Sequence, residues 1–178
     1  MEFQDFPKMA RWSRDIIITE KIDGTNAQVC IAEDGVTMKF GSRTRWITPE
    51  DDNYGFARWG VEHFDELLKL GPGRHFGEWW GKGVQRNYSM TDRRFSLFNA
   101  VRWTDEVRPS CCHAVPVLYQ GPMHPGVMEK YMCQLAENGS YAAPGFMEPE
   151  GVVLFHTAAN FGFKKTLKKD EVPKSLAR

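Results

Sequence analysis

Cysteine is sparse in this 178-residue chain, which has only Cys30, Cys111, Cys112 and Cys133. None of them forms a Cys-x-x-Cys pair or a Cys/His spacing suited to zinc, which argues against a structural zinc site and a disulfide scaffold. The thiols read as packing in a reducing, cytoplasmic setting. Long apolar runs are also missing. Met1 to Asp15 carries charge and no extended apolar segment, so it reads as neither a signal peptide nor a membrane span, and no membrane partner is expected. Net charge is absent, with 23 Lys and Arg against 23 Asp and Glu, so any nucleic-acid surface must come from local patches. Arg86, Arg93 and Arg94 form one candidate patch, and Lys164, Lys165, Lys168, Lys169, Lys174 and Arg178 another; a solvated charged face is the simpler reading of each. No internal repeat, linker or low-complexity stretch divides the chain.

What is present is an ordinary globular composition, 42% apolar and 26% charged, long enough to bury a core as one domain. Aromatic residues are plentiful, with six Trp and twelve Phe, several beside charges, which suggests that some line a cleft. The organising stretch is Thr19-Glu20-Lys21-Ile22-Asp23-Gly24-Thr25-Asn26, set between the apolar run 15–18 and the alternating run 27–31. Strand, turn, strand is the local reading, with a lysine held at a hairpin corner and Glu20, Asp23 and Asn26 near it. Rigid placement suits a nucleophile.

Further along, a turn at Glu33-Asp34-Gly35 predicts a return strand over 36–40, and the alternation in 41–45 predicts a strand with Arg43 and Arg45 on one face. Helical spacing over 54–70 ends at Gly71-Pro72-Gly73. His63 within it reads as a surface or partly buried side chain. Strands are predicted at 74–81, 94–99, 113–119 and 147–155, a glycine-rich loop at 81–88, and a short helix at 126–135. Glu78, an acid among aromatics and glycines, has to be paired or functional if buried. Phe95 and Phe98 face opposite sides of a regular strand, so one can serve the core and the other a cleft. The fold expected is α+β, with mixed, largely antiparallel sheets and flanking helices in a single domain.

In order, the chain presents Glu20-Lys21-x-Asp23-Gly24-x-Asn26, Ser42-Arg43-Thr44, Phe76-Gly77-Glu78, Phe95-Ser96-Leu97-Phe98, Glu150-Gly151-Val152-Val153 and Phe163-Lys164-Lys165. This series resembles the ordered motifs of the covalent nucleotidyltransferase superfamily, which includes polynucleotide ligases and mRNA capping enzymes. Within it the chain is most similar to ATP-dependent RNA ligases of the bacteriophage RNA-repair type, notably through the run Gly77 to Arg86. The resemblance implies a nucleotidyltransferase, ATP-grasp-like ligase core spanning residues 1–178, with no appended OB or C-terminal domain.

By the same resemblance, Lys21 attacks the α-phosphorus of ATP to form a lysyl-AMP phosphoramidate. Glu78 binds the ribose and Phe98 stacks on the adenine. Glu150 holds the catalytic Mg²⁺ (or Mn²⁺) through its waters, and Lys164 or Lys165 contacts the α-phosphate. Asn26 and Arg43 engage the nucleotide phosphate and the nucleic-acid end, and Glu20 joins the cofactor-binding set. The implied partners are ATP and RNA carrying a 5′-phosphate and a 3′-hydroxyl, with a protein partner in place of the missing module. The implied location is cytoplasmic, in the host if phage-encoded.

The chemistry sets its own conditions. A free lysine with a pKa near 10.4 is protonated at neutral pH and has no lone pair, so neighbouring cations must favour the neutral amine; Arg43, Lys164 or Lys165 and Mg²⁺ are the candidates. A sparse acidic complement suits Mg²⁺ with its own waters. Three other readings stay open: a DNA ligase, an RNA-capping guanylyltransferase, and a nucleotide- or RNA-binding module without the chemistry.

Overall fold

Alternation along Asp15–Lys21 puts Ile16, Ile18 and Glu20 on one face of a strand, where all three are buried, and leaves Ile17, Thr19 and Lys21 on the other. This is β1 in a computed structural model that describes residues 2–168 and 170. Lys169, Lys174 and Arg178 of the basic tail lie outside the described residues.

β1 belongs to a four-stranded antiparallel sheet of order β10-β9-β1-β8, with β8 at Val117–Pro122, β9 at Gly151–His156 and β10 at Phe161–Thr166. Helix α3, Val127–Asn138, covers one face, packing Val127, Met132 and Leu135 on Ile16, Ile18, Val152 and Leu154.

The second sheet has six strands. They are β2 (Thr25–Ile31), β3 (Met38–Gly41), β4 (Trp46–Ile47), β5 (Gly73–Gly81), β6 (Arg93–Leu97) and β7 (Cys112–Ala114), in the order β4-β3-β2-β5-β6-β7. Its one parallel pair is β6 with β7, which fits the mixed, largely antiparallel α+β expectation. Helices α1 (Phe56–Glu62) and α2 (Phe64–Leu68) cover one face with Phe56, Ala57 and Leu67 against Val29, Phe40, Trp79, Phe95 and Leu97. Each fully buried Val, Leu or Phe side chain among them contributes about 1.5–3 kcal/mol.

The structure differs from the sequence reading in several places. Lys21 is not at a hairpin corner, because β1 and β2 lie in different sheets and Ile22-Asp23-Gly24 carries the chain between them. The strand expected over 113–119 is two strands, β7 and β8, again in different sheets, joined by Val115-Pro116. The helix expected over 54–70 breaks at His63, whose ring bonds the Trp59 carbonyl and stacks on the Trp59 indole. Both crossovers enter a third core of Ile22, Trp80, Tyr88, Val115 and Ala143, which fastens the two sheets together.

Gly77 shows how tightly the second sheet is closed. A Cβ there would lie 2.4 Å from the Ser96 carbonyl oxygen and 2.6 Å from the Phe95 ring. Gly77→Ala should therefore destabilise the fold by about 1–3 kcal/mol through overpacking. A urea titration checks this, and an unchanged midpoint would contradict it.

Candidate active site

Because β1 ends at the crossover, its last side chain points away from α3 and into the angle between the sheets. There Lys21 Nζ donates to Glu150 Oε2 at 2.7 Å, with the glutamate side chain only 3% exposed and the lysine 20%. Glu150 immediately precedes β9, and the Lys21↔Gly151 register brings the two residues together.

Glu78 and Asn26 face each other on β5 and β2, with Asn26 Nδ2 donating to Glu78 Oε2 at 3.4 Å. The backbone N–H of Gly24 donates to Glu78 Oε1 at 3.0 Å. This close approach needs a glycine, since a Cβ at residue 24 would sit 2.4 Å from the Trp79 carbonyl and 3.0 Å from Glu78 Cγ.

Burial raises the pKa of Glu78 to about 7; Lys21 and the Gly24 N–H oppose the shift, while Glu150 and Asp23 add to it. Glu78 thus senses Lys21, Glu150 and Asp23, residues from both sheets and the crossover. Hard oxygen donors gathered round one lysine fit a divalent cation that keeps its waters and takes one or two carboxylates. Glu150 is the residue that would hold it. Among the described residues, no group of three or more His, Cys, Asp or Glu forms an all-protein metal cage.

Phe98 follows β6, and its N–H donates to the Phe76 carbonyl, so both rings stand on the helix-free face with Glu78, 43% and 51% exposed. Phe95 is fully buried on the other face. Phe76 enters the sequence reading only as part of the Phe76-Gly77-Glu78 motif and with no role of its own, although its separation of two from Glu78 in a strand implies the shared face.

Register separates the two lysines of the last motif. Lys164↔Val153 and Thr19↔Val153 put Lys164 on the Lys21 face. Lys165↔Val152 and Glu20↔Val152 put Lys165 on the α3 face, where its Nζ meets Glu129 at 3.0 Å. Lys165 is therefore directed away from the cleft.

Glu20 is corrected in the same way. Its carboxylate accepts from Ser140 Oγ at 2.6 Å and from the backbone N–H groups of Tyr141 and Ala142, so it anchors the segment after α3. Burial raises its pKa against those hydrogen bonds.

Arg43 and Arg45 are not strand residues, because the Ser42 N–H closes a turn onto the Arg45 carbonyl. Arg43 is exposed, and Arg45 pairs with Asp51 at 2.6 Å. Lys164 and Arg43 are thus solvent-exposed, whereas Lys21 with Glu150 and Glu78 with Asn26 are held by direct contacts.

Sequence reasoning missed a strap across the crossover. Arg86 Nε donates to Asp23 Oδ2 at 2.8 Å and Arg86 Nη1 to the Glu148 carbonyl at 2.9 Å, while the Asp23 N–H donates to Tyr88 Oη at 2.7 Å. Gln85, Asn87, Tyr88 and Ser89 in this loop all have positive φ. Such left-handed residues cost of order 1 kcal/mol or more each and persist only when their surroundings fix them. The basic residue ending the glycine-rich loop was the available signal.

Glu78 yields a test. A carboxyl raised from 4.5 to about 7 holds more protons folded than unfolded between those values, so stability falls as pH climbs through that window. The penalty above the window is about 3 kcal/mol. Glu78→Gln should therefore melt higher than the parent at pH 8, with the difference vanishing near pH 4.5; parallel melting curves would contradict it.

A model of the RNA ligase family matches residues 14–169. A Naegleria gruberi RNA ligase mutant solved with ATP and Mn superposes with a TM-score of 0.62 at 18% identity, over 88% of this chain and 51% of that one. A second mutant with ATP and Mn gives 0.59 at 19% identity, covering 88% and 51%. An apo mutant gives 0.61 at 18% identity, covering 86% and 49%. The chain spans about half the length of these structures, and the likeness concerns the fold.

Proposed function

Since this chain belongs to the RNA ligase family, we propose that it is an ATP-dependent RNA ligase of the RNA-repair type that adenylates itself on Lys21. The observation that carries the reading is Lys21 Nζ held 2.7 Å from Glu150 beside Glu78, where side chains from two sheets meet.

In the first step Nζ attacks the α-phosphorus of ATP, the bond to the bridging oxygen breaks, and pyrophosphate leaves. The Nζ proton has to go before attack, and Glu150 Oε2 is the acceptor in reach. Mg²⁺ or Mn²⁺ at Glu150 supplies charge neutralisation for the phosphates. Phe98 and Phe76 offer a stacking surface for the adenine, and Glu78, near its titration point, can hydrogen-bond the ribose hydroxyls. Lys164 meets the α-phosphate from β10, and Asn26 and Arg43 engage the phosphate and the nucleic-acid end. AMP then passes to an RNA 5′-phosphate, and a 3′-hydroxyl displaces it to seal the strand. Residues 1–178 act as the nucleotidyltransferase unit, in the cytoplasm.

Among the described residues no helix is long and apolar enough to cross a membrane.

Incubation with α-labelled ATP and Mg²⁺ should leave acid-labile label on the denatured chain, and Lys21→Ala should abolish it. Label surviving that substitution would overturn the assignment. Lys164→Ala should slow labelling about 100-fold, whereas Lys165→Ala should cost less than about threefold, as for a surface ion pair. Equal effects would contradict the register argument. Labelled GTP in place of ATP, and nicked DNA against nicked RNA, separate capping and DNA sealing from this reading.

A further inference from the structure

The helix-free face of the six-stranded sheet continues well past the cleft. Phe98 lies beside Phe76, Phe76 opposite Gln28, Gln28 opposite Gly41, and Gly41 opposite Trp46, so these residues form one row across five strands. At about 4.8 Å per strand the row runs roughly 19 Å from Phe98 to the sheet edge. Gln28 folds across Gly41 and donates to the Ser42 carbonyl, giving the middle of the row a flat polar floor.

Aromatic rings stand at both ends. Trp46 is 46% exposed, although its strand neighbour Ile47 is buried in the core. The next row holds Lys39, Cys30 and Arg74. Arg74 is exposed and carries its guanidinium 5.8 Å from the centre of the Trp46 ring, so its arm extends across the sheet face. Neither Arg74 nor Lys39 has a carboxylate partner among the described residues.

We infer that this strip binds a single-stranded stretch of the RNA substrate, with a base stacked on Trp46 and phosphates neutralised by Arg74 and Lys39. The inference rests on the RNA ligase reading and extends it to the path of the strand. Half-exposed rings interleaved with unpaired cations are what base stacking and backbone neutralisation require. A chain with no net charge needs such a local patch to hold a polyanion. The strip starts at Phe98 and Phe76, the rings beside Glu78, so a strand lying on it leads directly to the cleft.

The test is fluorescence anisotropy with a short 3′-labelled single-stranded RNA, run beside labelling with α-labelled ATP, on the parent, Trp46→Ala, Trp46→Phe and Arg74→Ala. Trp46→Ala should weaken RNA binding about tenfold and Trp46→Phe should restore most of it. Arg74→Ala should reduce the slope of log affinity against log salt by about one. Label from ATP should be unchanged in all three.

RNA affinity that is unchanged in Trp46→Ala and Arg74→Ala would overturn the inference. So would a parallel loss of ATP labelling, which would mean that the substitutions act through the fold or the nucleotide pocket. A change in oligomeric state with RNA affinity intact would assign the face to a second copy of the chain instead. Absence of label in the parent, with Trp46-dependent RNA binding present, would instead count against the ligase reading alone.

Discussion

The ion pair of Lys21 with Glu150 joins the end of β1 to the entry of β9 at the point where the chain leaves one sheet for the other. A carboxylate as buried as Glu150 needs compensation, since burying an ionised group without a partner costs several kcal/mol. Lys21 supplies part of it. Glu78 and Asp23 add further negative charge, and the response is visible in Glu78, raised to about 7 chiefly by burial, with Glu150 and Asp23 adding to it. Arg86 offsets Asp23 from the strap above the crossover. The site therefore has a surplus of carboxylates over cations close to Lys21, a balance that an incoming divalent cation relieves.

That balance depends on the two sheets holding a fixed relation. Ile22 and Val115, one in each crossover, share a core with Trp80, Tyr88 and Ala143. The same elements carry polar contacts to the site, because Tyr88 Oη accepts the Asp23 N–H and Trp80 Nε1 donates to Ser96 Oγ beside Glu78. Glu20 works on the opposite face of β1, tying it to the segment that follows α3 and contributes Ala143 to that core. Neighbouring residues Glu20 and Lys21 thus have opposite tasks, one holding the strand and the other serving the cleft.

Much of this was legible in the residues. The alternation of β1 and β2, the glycine-bounded strand around Glu78 and the Glu150-Gly151 entry to β9 come from local patterns, which physics imposes over a few residues. The period of two was also enough to set Glu20 apart from Lys21 and Lys165 apart from Lys164, had it been applied to their side chains. The sheet in which each strand lies could not be read in that way. Hydrophobic alternation is the same for a hairpin and for a strand that crosses to another sheet, so the passages at Ile22–Gly24 and Val115-Pro116 stayed hidden. Arg86 meeting Asp23 across 63 positions is likewise a product of the assembled fold. Ser42 to Arg45 alternates as a strand would, but the hydrogen bond that makes it a turn involves a single backbone pair.

The proposed nucleophile is a single amine, Lys21 Nζ, held against Glu150 where the chain passes between two sheets. Peptide mass spectrometry after incubation of the intact chain with ATP and Mg²⁺ locates any adenylyl group directly. The predicted result is one acid-labile adenylyl group on the peptide containing Lys21; an adduct on any other lysine, or none at all with ATP bound, would contradict it.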